Sequence, residues 1–236
     1  MKAFAILAIV ACSLLVSGCV FVKFKDGGFT KSDKKIAGNG VISEKTFEIG
    51  DFSRIKMNVP ADVDYSVADT PSMVVKLDEN LMEYLTVEVE DGVLKVGSTL
   101  GSMSRFKKLY IRLTSSALSA LECNGAVDFT ADGPVSGESF TMKVNGAADV
   151  EMKDLDVRTA KFEVNGAGDL DVHLADAEEV SLTISGAGDA TLSGKAGETS
   201  VEINGAGDVD LTGLDYTNLV KKVNGIGSVK TGKKKI

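Results

Sequence analysis

The sequence predicts an all-β protein, a parallel β-solenoid (β-helix) with coils of about twenty residues, capped by an irregular β-rich N-terminal part. Three observations carry this. A five-residue signature recurs six times: Asn124-Gly-Ala-Val-Asp128, Asn145-Gly-Ala-Ala-Asp149, Asn165-Gly-Ala-Gly-Asp169, Ser185-Gly-Ala-Gly-Asp189, Asn204-Gly-Ala-Gly-Asp208 and Asn224-Gly-Ile-Gly-Ser228, with first positions 21, 20, 20, 19 and 20 residues apart. Each copy is flanked by apolar residues at every second position, the pattern of a strand with one face buried. No stretch from 117 to 230 holds a helical period.

The first element, residues 1–18, reads as a lipoprotein signal peptide. Lys2 precedes an apolar run from Ala3 to Val16, then Val16-Ser17-Gly18-Cys19. A positive start, a short apolar core and small residues at a cleavage point mark a secretory signal. The run is shorter than the roughly 20 apolar residues of a membrane-spanning helix. The box resembles the lipobox of bacterial lipoproteins, in which Cys19 receives lipid and becomes the first mature residue. Removal of Cys12 and acylation of Cys19 leave Cys123 alone, so no intramolecular disulfide staples the mature chain. Residues 19–37 form a tether.

Residues 38–116 are strand-rich but less regular. Phe52-Ser-Arg-Ile-Lys-Met-Asn58, Ala61-Asp-Val-Asp-Tyr-Ser-Val67 and Met73-Val-Val-Lys-Leu77 alternate. Asp91-Gly92 between Thr86–Glu90 and Val93–Val96 predicts a hairpin. Asn80–Leu85 reads as a single helical turn, and Lys108–Leu113 as a strand with Leu109, Ile111 and Leu113 inward. This part leads into the solenoid and caps it.

Residues 117–229 carry the repeats. Asn-Gly between alternating runs ordinarily signals a two-residue hairpin, but the register forbids it here. An Asn165-Gly166 hairpin opposes Phe162 to Asp169, and opposed residues share a face. The next copies fail identically, setting Leu182 against Asp189 and Val201 against Asp208. A corner between strands that pair with their equivalents one repeat away, about 4.8 Å up a stack, removes the conflict. Asn and Gly tolerate positive φ, which provides a sharp corner, and Gly186→Val then strains the backbone. On this reading Asn124, Asn145, Asn165, Ser185, Asn204 and Asn224 form one column, and Phe162, Leu182 and Val201 stack inside. Asp128, Asp149, Asp169, Asp189 and Asp208 form a second column, each bonding the amides of its own corner as an Asx turn. A single coil buries too little to fold, so stability resides in contacts between neighbouring coils. Lys221, in an inward position of the last coil, and the Lys-rich tail 230–236 form a charged stop.

Charge is unevenly placed. Between residues 37 and 220 there are 14 basic and 32 acidic residues, whereas six Lys and no acid occupy 221–236. An acidic body excludes a nucleic-acid partner. No metal-ligand spacing, phosphate loop or nucleophile elbow occurs, and the Gly-rich copies join strand to strand rather than opening a helix. No catalytic residue, metal site or cofactor is assigned. His173, the sole histidine, faces outward. The Asp column is a place where Ca²⁺ could gather oxygen ligands, which gives a calcium-stabilised repeat protein as one alternative. A carbohydrate-processing or carbohydrate-binding β-helix is another, with Arg105, Lys107, Lys108 and Arg112 as its basic cluster.

The order of these features carries a family resemblance: a lipobox, Gly38-Asn-Gly40, the Phe52-Ser-Arg-Ile55 strand, the Asp91-Gly-Val-Leu94 hairpin, then Leu118-Ser-Ala-Leu121 leading into Asn-Gly-Ala-Gly-Asp repeats. The chain resembles the head GIN domain family of autotransporter-type adhesins, common among Bacteroidetes, over about residues 38–230. The resemblance implies a right-handed β-helix and a lipid-anchored, outer-membrane setting in the cell envelope. It implies a non-catalytic adhesin or envelope scaffold whose partners are the membrane, through the anchor, and a protein or glycan ligand. Val20-Phe-Val-Lys-Phe24 stands where an acidic export run would follow Cys19, so periplasmic and outer faces both stay open.

Overall fold

The alternation of apolar and polar residues becomes, in the structure, an alternation of buried and more exposed side chains along most strands away from the two ends of the stack. The computed structural model describes residues 32–104 and 108–232. Residues 31–236 make one unit. The signal segment, Cys19, Arg105, Lys107 and Lys233–Lys235 lie outside the described residues.

The N-terminal part contributes β1 (Ser32–Ala37), β2 (Ile42–Phe47), β3 (Arg54–Met57), β4 (Ala61–Val67) and β5 (Ser72–Asp78). A 3-10 turn at Glu79–Tyr84 follows, then β6 (Leu85–Glu90), β7 (Val93–Ser98), β8 (Leu100–Ser104) and β9 (Tyr110–Ser115). The Asp91-Gly92 hairpin forms as predicted: β6 and β7 pair antiparallel, and both turn residues have positive φ, 50° and 72°. That is the type I′ geometry whose twist matches the strands it joins. β1 and β8 pair in a separate parallel ribbon.

The repeats follow as β10 (Ala120–Cys123), β11 (Ala126–Ala131), β12 (Val135–Val144), β13 (Ala147–Val164) and β14 (Leu170–Ile184). They continue with β15 (Ala190–Ile203), β16 (Val209–Leu211), β17 (Leu214–Val223) and β18 (Val229–Thr231). All pairings among β10–β18 are parallel and one repeat apart, such as Phe162 with Leu182 and Leu182 with Val201. These three side chains stack in the core, at most 1% exposed. The Asn-Gly pairs sit at corners. The result is a nearly all-β chain with a β-solenoid of about six turns.

Parallel stacking also reaches back into the N-terminal part. β3 lies between β10 and β7, and β4 between β11 and β9, all parallel. The chain therefore lays down the coil of β3 and β4 first, runs to the end of the stack, and returns past it to begin β10. The end is closed by antiparallel strands, β5 on β9 with β2 on β5, and β6 on β7. Leu81 of the 3-10 turn, fully buried, plugs the core there. Two sheets thus run the length of the stack. One ends in β6 and β17, the other in β2 and β18. Between them lies one continuous core, including Tyr65 stacked on Phe129 and Phe162 against Phe140.

Candidate functional site

The corner columns organise the surface, and glycine is needed there for a reason other than the one the sequence offered. None of Asn124, Asn145, Asn165, Asn204 or Asn224 has positive φ, and neither does Gly186. What the corner demands is closeness. A Cβ on Gly166, Gly186 or Gly225 would stand 1.9 Å from the carbonyl oxygen of the glycine one coil before it. Backbones packed this tightly leave no room for any side chain.

The Asn column forms a ladder of side-chain amides. Asn145 Nδ2 donates to Asn124 Oδ1 at 2.9 Å, Asn165 Nδ2 to Asn145 Oδ1 at 3.2 Å, and Asn224 Nδ2 to Asn204 Oδ1 at 2.8 Å. Ser185, too short to span one coil, stands between the two runs. The ladder extends one coil beyond the predicted set, because Asn124 Nδ2 donates to Asn58 Oδ1 at 2.9 Å. Asn58-Val-Pro-Ala-Asp62 is a seventh corner. It keeps the first and fifth residues of the signature, and those two were its only trace in the sequence.

The Asp column also bonds between coils, not within its own corner as an Asx turn would. Asp149 Oδ1 accepts from the Asp169 amide at 3.3 Å, Asp169 Oδ1 from Asp189 at 3.1 Å, and Asp189 Oδ1 from Asp208 at 2.7 Å. Asp208 accepts from both the amide and hydroxyl of Ser228, which hold its carboxyl below the usual range. The carboxylates are placed one coil rise from the next amide, which the sequence alone does not reveal. At the other end Lys108 bridges Asp62 at 2.5 Å and Asp128 at 3.2 Å.

Beside the Asp column runs a second outward column: Asp64, Thr130, Glu151, Asp171, Thr191 and Asp210, aligned by strand register. The two columns flank a shallow groove of about 380 Å³, lined by Asp128, Asp149, Glu151, Asp169, Asp171 and Asp189 among others. No three His, Cys, Asp or Glu among the described residues are arranged to hold a metal ion. The other sheet is charge-balanced instead, with Lys56–Glu122 at 2.9 Å and Lys222–Glu202 at 2.9 Å one coil apart.

The remaining candidates have local roles. Lys108 is committed to its two carboxylates, and Arg112 lies over the Tyr110 ring at 5.9 Å. His173 is exposed, with Nδ1 3.0 Å from Ser193 Oγ. Cys123 is fully buried. Its thiol is pushed up to about 12 by desolvation and by Glu122, which keeps it an unreactive core group.

The repeat geometry matches a known family: residues 51–235 fit the model of the putative auto-transporter adhesin, head GIN domain. The chain belongs to the head GIN family. Three crystal structures show the same fold. A putative adhesin from Parabacteroides distasonis is 22% identical, with TM-score 0.73, covering 84% of this chain and all of that one. A putative adhesin from Bacteroides fragilis is 15% identical, with TM-score 0.64, covering 83% and 99%. A putative lipid binding protein from Parabacteroides distasonis is 22% identical, with TM-score 0.58, covering 85% and 100%. No curated protein matches the sequence. No helix among the described residues of this head GIN protein is long and apolar enough to cross a membrane.

Proposed function

We propose that this head GIN protein is a lipid-anchored envelope adhesin, tethered through Cys19, that binds its partner without catalysis along the outer face carrying the Asp column. The observation that carries this reading is the groove itself. It is shallow, it runs along the stack, and one of its two columns repeats an aspartate at Asp128, Asp149, Asp169 and Asp189. A face of that kind suits an extended partner touching several coils at once. Its carboxylates point to a partner with spaced cationic or hydrogen-bond-donating groups, such as a basic protein segment or an amino-bearing glycan. The Asp149, Asp169, Asp189 and Asp208 carboxylates are already bonded to the next coil, so this column is set before the partner arrives, and little ordering cost is added there on binding. The adhesin names of the family and of two of its three structural relatives above support the same reading.

A glycan and matrix-protein array probed with the full chain, with and without Ca²⁺, tests it. Specific binding without turnover, lost in Asp149→Asn/Asp171→Asn, is the expected result. Depolymerisation of a glycan would overturn the non-catalytic reading. Binding that appears only with Ca²⁺ and persists in that variant would overturn the assignment of this face.

A further inference from the structure

The two ends of the stack differ in a way that no ligand on the lateral face explains. Among the described residues, six large apolar side chains are exposed, and five of them are at the ends. Val41 (52%) and Ile42 (44%) lie at the edge strand β2. Val220 (66%), Val223 (40%) and Ile226 (83%) lie on the last coil. Ile226 occupies the corner column held by Ala147, Ala167, Ala187 and Ala206 in earlier coils. An exposed isoleucine replaces alanine only where the stack stops.

The ends also carry opposite charge. The last coil presents Lys221 and Lys230, with Lys222 paired to Glu202 of the coil before, and Lys221 is aligned on the inward column of Val201. The N-terminal end presents Glu88 on β6, Asp91 in its turn and Glu48 after β2, together with Glu90 and Glu44, which pair with Lys95 and Lys76; Lys45 on β2 leaves the sum acidic. Among the described residues, each end has two edge strands: β17 and β18 have a neighbour on one side only, as do β6 and β2. Unpaired edges with apolar side chains are a template for a further strand.

We propose that copies of this chain associate head to tail, the basic C-terminal coil of one docking on the acidic N-terminal cap of the next. The edges match in kind, since β17 and β6 end one sheet and β18 and β2 end the other, so both sheets can run on across the joint. Contact between two C-terminal ends would oppose lysines to lysines, and contact between two caps would oppose carboxylates to carboxylates. A joint between unlike surfaces leaves a free tip and a free cap after every addition, and stacked along the axis of the coils it propagates into a filament.

Charge exchange tests this on the full chain in detergent, by sedimentation with the micelle contribution subtracted. The wild type should grow in mass with concentration. Lys221→Glu/Lys222→Glu alone should stay monomeric, because its tip now repels its own cap. Glu88→Lys/Glu90→Lys alone should stay monomeric for the converse reason. Mixed in equal amounts they should associate again and alternate, since each tip then meets a cap of opposite sign. Ile226→Ser, at a side chain that supports nothing in the fold, should weaken wild-type growth at least tenfold in concentration. A wild type that stays monomeric, a closed dimer, or a mixture that stops at two copies would each overturn the proposal.

Discussion

Gly186→Ala adds one methyl group and isolates the closeness argument. The new Cβ would stand 1.9 Å from Gly166 O, 2.9 Å from its C and 3.1 Å from its N, all backbone atoms. Ordinary contact needs the oxygen more than an ångström farther away. That same oxygen accepts the Ala187 amide at 2.9 Å, so moving it lengthens a bond that ties the two coils. Overpacking costs about 1–3 kcal/mol and a weakened bond about 1 kcal/mol more. For a domain of this size a loss of that order lowers Tm by about 10 °C. Gly133 is the control: it has no positive φ, and a methyl group there would meet nothing within 4 Å. Gly133→Ala should be neutral or stabilise by up to about 1 kcal/mol, through the unfolded chain. Thermal and urea unfolding of both variants decide the matter. Equal stability of Gly186→Ala and Gly133→Ala would refute the closeness argument.

The Asn ladder should respond to both breaking and mending. Asn145→Ala removes two bonds and should cost about 1 kcal/mol, whereas Ser185→Asn should gain up to about 1 kcal/mol by joining the two runs; urea midpoints report both. The carboxyls of Asp208 and Asp210 are lowered by hydrogen bonds from Ser228 and Thr212. Their stabilisation is fully present above the unfolded carboxylate value of about 4 and is lost as pH falls through the lower folded value. Asp208→Asn should therefore flatten the acid limb of a plot of stability against pH, and an unchanged slope would sink the assignment. Intact-mass analysis of envelope-extracted protein should show an acyl-bearing Cys19 terminus, absent in Cys19→Ala.

Much of this architecture was legible because a repeat compares itself with itself. The conflict of Phe162 with Asp169 excluded the hairpin on paper, and the strand faces then followed from period two. Other features depend on distances between coils, which no single coil contains. The Asp169 carboxylate reaches the Asp189 amide because of the stack's rise, and Gly186 is glycine because Gly166 lies behind it. Asn58-Val-Pro-Ala-Asp62 was obscured for another reason. It lacks the glycine, and it is stacked out of chain order, 66 residues from its neighbour Asn124. Without that spatial adjacency, two matching residues do not make a repeat.

The out-of-order coil bears on how the molecule comes into being. A ribosome delivers β3 and β4 early, yet their neighbours on one side, β7 and β9, and on the other, β10 and β11, arrive only later. The first coil made cannot dock until the chain has doubled back around it, so the cap is a late assembly step despite its early position. The coils from β12 onward need only the coil before them. Growth from the C-terminal side can proceed one rung at a time, whereas the other end matures all at once. Nascent-chain lengths stopping between residues 67 and 92 would leave edges open on both sides of one coil, the interval in which a holding chaperone has most to protect.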